Sequence, residues 1–183
     1  MKLVPALAVW RHPKPHGAQG RCIGRTDLAI DRRKAKRLAH RIRQWARSRN
    51  AARIVVTSDR QRSHAVGRCL ARWGWQHLVD PRLNELDFGR WDGLAWARIG
   101  AIPVEAWCSD FAAHAPGGGE TVSALLGRCA AFLAAPGGPA TLCVVGHAGW
   151  ISAARWLASE ASRLPTAAEW PAATRYAELT LIE

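Results

Sequence analysis

Three short polar stretches follow apolar runs in the chain, and each holds residue types suited to gripping or attacking an anion. They are Trp10-Arg11-His12-Pro13, Thr57-Ser58-Asp59-Arg60-Gln61-Arg62 and Gly146-His147-Ala148-Gly149. A guanidinium is planar, permanently charged and able to hold two oxygens of one anion at once. An imidazole changes charge near neutral pH, so it can act as base, nucleophile or cation. Each stretch alone is a weak signal, because an Arg-His dipeptide is common and a histidine ahead of a helix is often a cap or a packing residue. Their shared placement joins them: open α/β sheets bind ligands beyond the carboxyl ends of their strands. If the three strands are neighbours, two histidines and at least two arginines converge on one spot.

The elements needed to place them are read from an alternation of patterns. Residues 3–10, 53–57 and 141–145 are short apolar runs bounded by charge or turn signals, as buried strands are. Asp31 caps a helix in which Ala35, Leu38, Ala39, Ile42, Trp45 and Ala46 keep helical spacing. Residues 60–73 predict a second helix, stopped by Gly74. Residues 120–134 predict a third, between Pro116-Gly-Gly-Gly119 and Pro136-Gly-Gly-Pro139. A further apolar helix is expected at 150–157, and the alternating stretch 175–182 predicts a closing strand. This order predicts an α/β fold of three layers, α/β/α, around a mostly parallel central sheet. No internal repeat, low-complexity tract or linker composition interrupts the 183 residues, so one domain, 1–183, is expected.

Two loops carry further polar residues. Residues 13–30 make an 18-residue connection with glycines at 17, 20 and 24, too long to be idle in a compact domain. It ends in Gly24-Arg25-Thr26-Asp27, a group suited to closing over an anion. The stretch Arg82-Leu-Asn-Glu85-Leu-Asp87-Phe-Gly89-Arg-Trp91-Asp92-Gly93 mixes carboxylates with aromatics, a setting for a general acid. The alternative for Glu85 and Asp87 is a solvated turn.

Charge points the same way. There are 26 Lys+Arg against 14 Asp+Glu, a formal +12 with histidine neutral. Residues 1–79 carry +16 and residues 80–183 carry −4. Such an excess suits nucleic acid, anionic lipid or a small phosphorylated substrate; the alternative is a solvated Arg-rich face. Nine Lys+Arg between 32 and 49 lie opposite the apolar stripe of the first helix and are expected to be solvated, so a nucleic-acid partner is disfavoured. A hydrophobic share of 49% with 22% charged residues excludes disorder. No apolar run approaches the roughly 20 residues of a membrane span, so no membrane partner is expected. The first residues, Lys2 and the apolar stretch to Trp10, resemble a signal peptide only in part: the stretch is short, carries Pro5 and ends in Arg11-His12 without a cleavage site. Cysteines at 22, 69, 108, 129 and 143 are odd in number and lack a C-x-x-C, so reduced thiols in a cytoplasm are expected. Trp45, Trp73, Trp150 and Trp156 are expected in the core, and histidines 16, 40, 64, 77 and 114 as structural or exposed. No carboxylate or histidine cluster has ligand spacing, so neither metal nor cofactor is expected.

Taken in order, five motifs resemble the histidine phosphatase (phosphoglycerate mutase-like) superfamily over roughly residues 6–157. They are Arg11-His12, Ser58-x-x-x-Arg62, Leu83-x-Glu85-x-x-Phe88-Gly89-x-Trp91-x-Gly93, Pro116-Gly-Gly-Gly-Glu120 and Val144-Val-Gly-His147-Ala-Gly149. Within it, Arg11-His-Pro13-x-Pro15, Gly20-x-Cys22-x-Gly24-Arg-Thr-Asp27 and Asp87-Phe-Gly-Arg-Trp-Asp-Gly93 look most like bacterial α-ribazole phosphatases of cobalamin synthesis. Three departures stand out. Arg11-His12-Pro13-Lys14-Pro15 replaces Arg-His-Gly-Glu-Thr, Ser58-Asp59-Arg60-Gln61-Arg62 replaces Ser-Pro-Leu-x-Arg, and Val66-Gly67 replaces Thr-Ala. The spacing favours Arg62 over Arg60 as a phosphate ligand.

The resemblance implies a phosphoglycerate mutase-like fold and a metal-independent phosphomonoesterase. His12 would be the nucleophile, Arg11 and Arg62 the phosphate grip, His147 a protonated partner in the same transition state, and Glu85 the general acid and base. Arg25, Thr26 and Cys22 would belong to the pocket wall. Glu120 and Trp91 would touch substrate, or else cap a helix and pack a loop. The implied partner is a small phosphorylated metabolite, with α-ribazole 5′-phosphate the first choice. A phosphoglycerate mutase, a broad sugar-phosphate phosphatase and a catalytically weak nucleic-acid-binding member are the alternatives. Oligomeric state and the last 25 residues are left open.

Overall fold

Successive side chains of a strand point to opposite faces of its sheet, and β1, Ala6–Arg11, buries both. Leu7 and Val9 enter one apolar cluster, while Ala8 and Trp10 enter another. The computed structural model describes residues 6–135 and 139–182. Residues 3–5 of the expected first strand and 136–138 of the expected turn lie outside the described residues.

The other strands are β2 (Ile54–Thr57), β3 (Gln76–Val79), β4 (Thr141–Gly146) and β5 (Leu179–Ile182). Their order in the sheet is β3-β2-β4-β1-β5. β1 runs parallel to β4, β4 to β2 and β2 to β3, while β5 joins the edge of β1 antiparallel. The expected mostly parallel sheet is thus present. Its order sets β4 between β1 and β2, so the three strands that end in polar residues are neighbours. Arg11 is level with Gly146, and Thr57 with Val145.

Parallel neighbours need crossovers, and helices supply them on both faces. The helix α1, Arg32–Ser48, is capped by Asp31, whose carboxylate accepts the Arg33 N–H. It buries Ala35, Leu38, Ala39, Ile42 and Ala46 in the cluster that also holds Val66 and Leu70 of α2, Gln61–Ala71. On the other face lie α5, Val122–Leu133, and α6, Ala148–Ala158, around Leu125, Phe132, Trp150 and Ile151. These make the three layers. Among the described residues no helix is long and apolar enough to cross a membrane.

The structure differs from the sequence expectation in several places. The stretch expected as a strand from 175 pairs only over β5. The edge strand β3 has no buried side chain, so its apolar pattern is too weak to read. The helices α3, Trp96–Ile99, and α4, Ala101–Ser109, also bury no residue, and Gly100 and Pro103 break their pattern. Of the four tryptophans expected in the core, only Trp150 is fully buried; Trp45, Trp73 and Trp156 pack half-buried at its edges. Trp10 fills the central position instead, edge-on to Trp45 at 5.3 Å.

The apolar stripe of α1 predicts its energetics. Leu38→Ala is expected to lower unfolding free energy by about 2–4 kcal/mol, whereas the exposed Arg41→Ala stays within about 0.5 kcal/mol. Urea unfolding of both variants checks this; equal midpoints would contradict the packing of α1 on the sheet.

Candidate active site

Arg62, in the first turn of α2, is 1% exposed. Among the described residues no carboxylate pairs with it. Instead Nη1 donates to the Thr26 carbonyl at 2.8 Å, Nη2 to the Gly24 carbonyl at 2.6 Å, and Nε to Nδ1 of His147 at 3.2 Å. These neutral acceptors satisfy the N–H groups without cancelling the charge. Burial lowers the Arg62 pKa, and the nearby Glu85 carboxylate opposes that shift.

The loop that supplies the carbonyls is shaped for this task. Asp92 accepts from the Gly24 N–H at 2.7 Å, the Thr26 N–H at 2.6 Å and the Thr26 hydroxyl at 2.8 Å. Both carbonyls are then free to face Arg62. Gly24 is required by close approach, since a Cβ there would stand 2.2 Å from the Leu86 carbonyl oxygen. Asp27 ties the loop to the start of α2 by accepting the Gln61 N–H at 2.7 Å.

His12 follows β1 and is 4% exposed. Its Nδ1 lies 2.8 Å from the Pro13 carbonyl. A carbonyl can only accept, so the proton sits on Nδ1 and Nε2 keeps its lone pair. Burial lowers the His12 pKa well below 6.5, helped by Arg62 and Arg11 and opposed by the Pro13 hydrogen bond. The His147 ring lies 4.9 Å away. Because His147 Nδ1 accepts from Arg62, its Nε2 carries the proton and donates to Ser58 Oγ at 2.7 Å. Burial, then Arg62 and His12, lower the His147 pKa well below 6.5. In this geometry His147 is a neutral donor, since a second buried charge beside Arg62 is penalised.

Arg11 is held from the far end of the chain. Its Nη1 donates to the Thr174 carbonyl at 2.8 Å, and its Cζ stands 3.8 Å from the centroid of the Tyr176 ring. Tyr176 also lies 5.6 Å from the His12 ring. Arg11 Nε is buried and finds no acceptor among the described residues. The motif reading missed Tyr176 and Thr174, which lie in a segment without motifs. One signal was present: Tyr176 is the only tyrosine of the chain.

Glu85 lines the same cavity as Arg11 and His12. Its Oε1 accepts the N–H of Gly149 at 2.9 Å and of Leu86 at 3.1 Å. That puts a carboxylate at the start of α6, where the helix dipole favours it. Gly149 leaves the room, for a Cβ there would meet Oε1 at 2.3 Å. The segment bearing Glu85 is clamped by Arg128 of α5, which donates to the carbonyls of Arg82 at 2.8 Å, Asn84 at 2.6 Å and Glu85 at 3.0 Å. Glu120 pairs with the same guanidinium through both oxygens, at 2.7 and 2.9 Å, and accepts the Asp87 N–H at 3.3 Å. Thr121, not Glu120, caps α5. Trp91 is buried in the loop packing.

Arg11, His12, Arg62 and Glu85 line one cavity of about 330 Å³, together with Arg21, Phe88, Trp96 and Tyr176. His147 lies fully buried behind them. Cys22, Arg25 and Thr26, expected in the pocket wall, do not line this cavity. Cys22 is fully buried, and burial, with Asp92 and Glu85 nearby, pushes its thiol up to about 12, which makes it unreactive. Thr26 gives its hydroxyl to Asp92. Arg25 pairs with Asp87 at 3.1 Å and lines a neighbouring cavity with Arg60 and Arg128. Loop residues adjacent in sequence here face different sides. Among the described residues no group of three or more His, Cys, Asp or Glu side chains is placed to hold a metal ion.

Residues 7–183 match the model of the histidine phosphatase superfamily (branch 1). A solved mycobacterial glucosyl-3-phosphoglycerate phosphatase is 27% identical, with a TM-score of 0.76 over 97% of this chain and 89% of that one. A protein described as mycobacterial hydrolase 2 is 26% identical, with a TM-score of 0.77 over 97% and 81%. The α-ribazole phosphatase from Shigella flexneri shares the fold, with a TM-score of 0.75 over 97% and 90% of the two chains at 21% identity. No curated protein sequence matches the chain.

Two buried neutral imidazoles make stability depend on pH. Unfolded, His12 and His147 titrate near 6.5; folded, both stay unprotonated well below it. As pH falls through that value the unfolded chain binds more protons, which costs up to about 1.4 kcal/mol of stability per histidine and pH unit. The melting temperature is expected to hold above about pH 6.5 and to fall below it. A flat profile down to about pH 5 would show that the two rings are not held neutral.

Proposed function

The chain belongs to the histidine phosphatase superfamily (branch 1), and on that footing we propose that it is a metal-independent phosphomonoesterase working through a phosphohistidine on His12. One observation carries the reading: the Nδ1 bond to Pro13 leaves a neutral Nε2 beside two arginines in a single cavity. His12 Nε2 attacks phosphorus as the ester P–O bond breaks, and Glu85, entering the step as the acid with its proton on Oε2, delivers that proton to the departing alkoxide. Glu85 then takes a proton from water, whose oxygen displaces His12 and releases inorganic phosphate. Arg62 and Arg11 stabilise the equatorial oxygens, and the unpartnered Arg11 Nε–H gains an acceptor there. Uncatalysed phosphomonoester hydrolysis is slow enough that enhancements reach about 10²¹-fold, so a strongly cationic pocket is in proportion.

Phe88, Trp96 and Tyr176 in the cavity wall suit a leaving alcohol that carries a flat ring, which supports α-ribazole 5′-phosphate. Arg21 in the same wall, with the 27% identity to a glucosyl-3-phosphoglycerate phosphatase, favours a second reading, an acidic sugar phosphate. The five free thiols support a reducing, cytoplasmic setting.

His12→Ala is expected to lose activity on a chromogenic phosphate ester by roughly a thousandfold or more. The acid-labile phosphoryl label on the wild type should vanish with it. Retained activity in the variant, or activity lost to EDTA, would overturn the reading. Rates on α-ribazole 5′-phosphate, glucosyl-3-phosphoglycerate and 3-phosphoglycerate then decide the substrate class.

Arg128 acts only through Glu85 and is a positioning residue. Arg128→Met should slow hydrolysis of an alkyl phosphate by about tenfold to a hundredfold and leave dinitrophenyl phosphate nearly unchanged, because that leaving group needs no proton. Equal loss on both esters would mean a general structural role.

A further inference from the structure

The cations of the N-terminal half are not absorbed by the candidate active site. Residues 32–58 contain ten Lys+Arg and no Asp or Glu. None of the ion pairs among the described residues involves any of those ten. Charge count alone assigns them to solvent, but the fold arranges several of them. Lys36, His40, Arg43 and Arg47 follow one another at helical spacing along a single face of α1. At 1.5 Å per residue this stripe is about 16 Å long.

The stripe leads into a cavity of about 510 Å³, larger than the one of about 330 Å³ that contains His12. Its walls include Arg43, Arg47, Asn50, Arg53, Trp73 and Trp75, and no carboxylate. It lies at the opposite end of the sheet from His12, since Arg53 precedes β2 whereas Ser58 follows it. Trp73 is half-buried, with the His40 ring 4.4 Å from its own and Arg43 Cζ 5.6 Å from its centroid. Cations therefore flank the Trp73 indole on one surface, the combination that recognises a phosphate backbone together with a flat base.

We propose that this surface binds single-stranded nucleic acid, with the backbone along the α1 stripe and a base against Trp73 in the cavity. A duplex keeps its bases stacked away from the indole, and an anionic membrane offers no flat ring for it. The inference uses none of the residues assigned to phosphate-ester hydrolysis and stands apart from that reading.

Fluorescence anisotropy of a labelled oligothymidylate of about 15 nucleotides tests it. Binding should weaken with salt with a log–log slope of roughly −2 to −3, as for three or four neutralised phosphates. Trp73→Leu should weaken binding by about fivefold to a hundredfold, and Arg43→Gln/Arg47→Gln should flatten the salt slope. Both variants should hydrolyse a chromogenic phosphate ester at the wild-type rate, which also shows that they fold. His12→Ala should bind the oligonucleotide unchanged. Absence of binding at about 0.1 M salt would overturn the proposal. So would inorganic polyphosphate or phosphatidylglycerol vesicles binding as tightly as the oligonucleotide, or a matched duplex binding more tightly. Should Trp73→Leu fail to fold, the double arginine variant decides: unchanged affinity and slope would overturn the site.

Discussion

A buried guanidinium with no carboxylate paired to it among the described residues is the constraint around which the candidate site is organised. Removing such a group from water is costly unless each N–H is satisfied. Arg62 meets that demand with the carbonyls of Gly24 and Thr26 and the imidazole of His147. All three acceptors are uncharged, so the positive charge persists in a region of low dielectric. The same burial, with Arg62 adjacent, keeps His12 and His147 unprotonated. Burial first, and that one charge second, set the state of both rings.

The carboxylates around the site serve the backbone more than they serve its arginines. Asp92 folds the 24–26 loop, Asp27 caps α2, and Glu85 takes two amide hydrogens at the start of α6. Glu120 does pair with a cation, but with Arg128, which grips three carbonyls of the segment bearing Glu85. Each acid thereby fixes a loop without neutralising Arg11 or Arg62. This division is why a pocket can be cationic within loops that are rich in aspartate and glutamate.

Arg11, His12, Arg62, Glu85 and His147 were legible because each lies within a few residues of a strand end or a loop motif. Tyr176, Thr174, Asp92 and Arg128 were not. Arg11 and Thr174 are 163 residues apart, and no local spacing reports such a contact. The loop 22–26 was found, but its side chains were assigned to one wall when Cys22 is buried, Thr26 turns to Asp92 and Arg25 lines another cavity. Strand β3 and the helices α3 and α4 escaped notice for a simpler reason: with no buried face they carry no periodic apolar signal.

By itself the sequence determined the alternation of strands and helices, and the residue types at the strand ends. Both depend on short-range periodicity and spacing, which are written along the chain. Tertiary structure decided which strand ends are neighbours, which arginine is buried, and which tautomer each histidine holds. Those depend on acceptors delivered from distant segments: a carbonyl at Pro13 for His12, carbonyls at 24 and 26 for Arg62, and one at 174 for Arg11. A hydrogen bond is set by where its partner stands in space, and only the folded sheet brings these partners within reach.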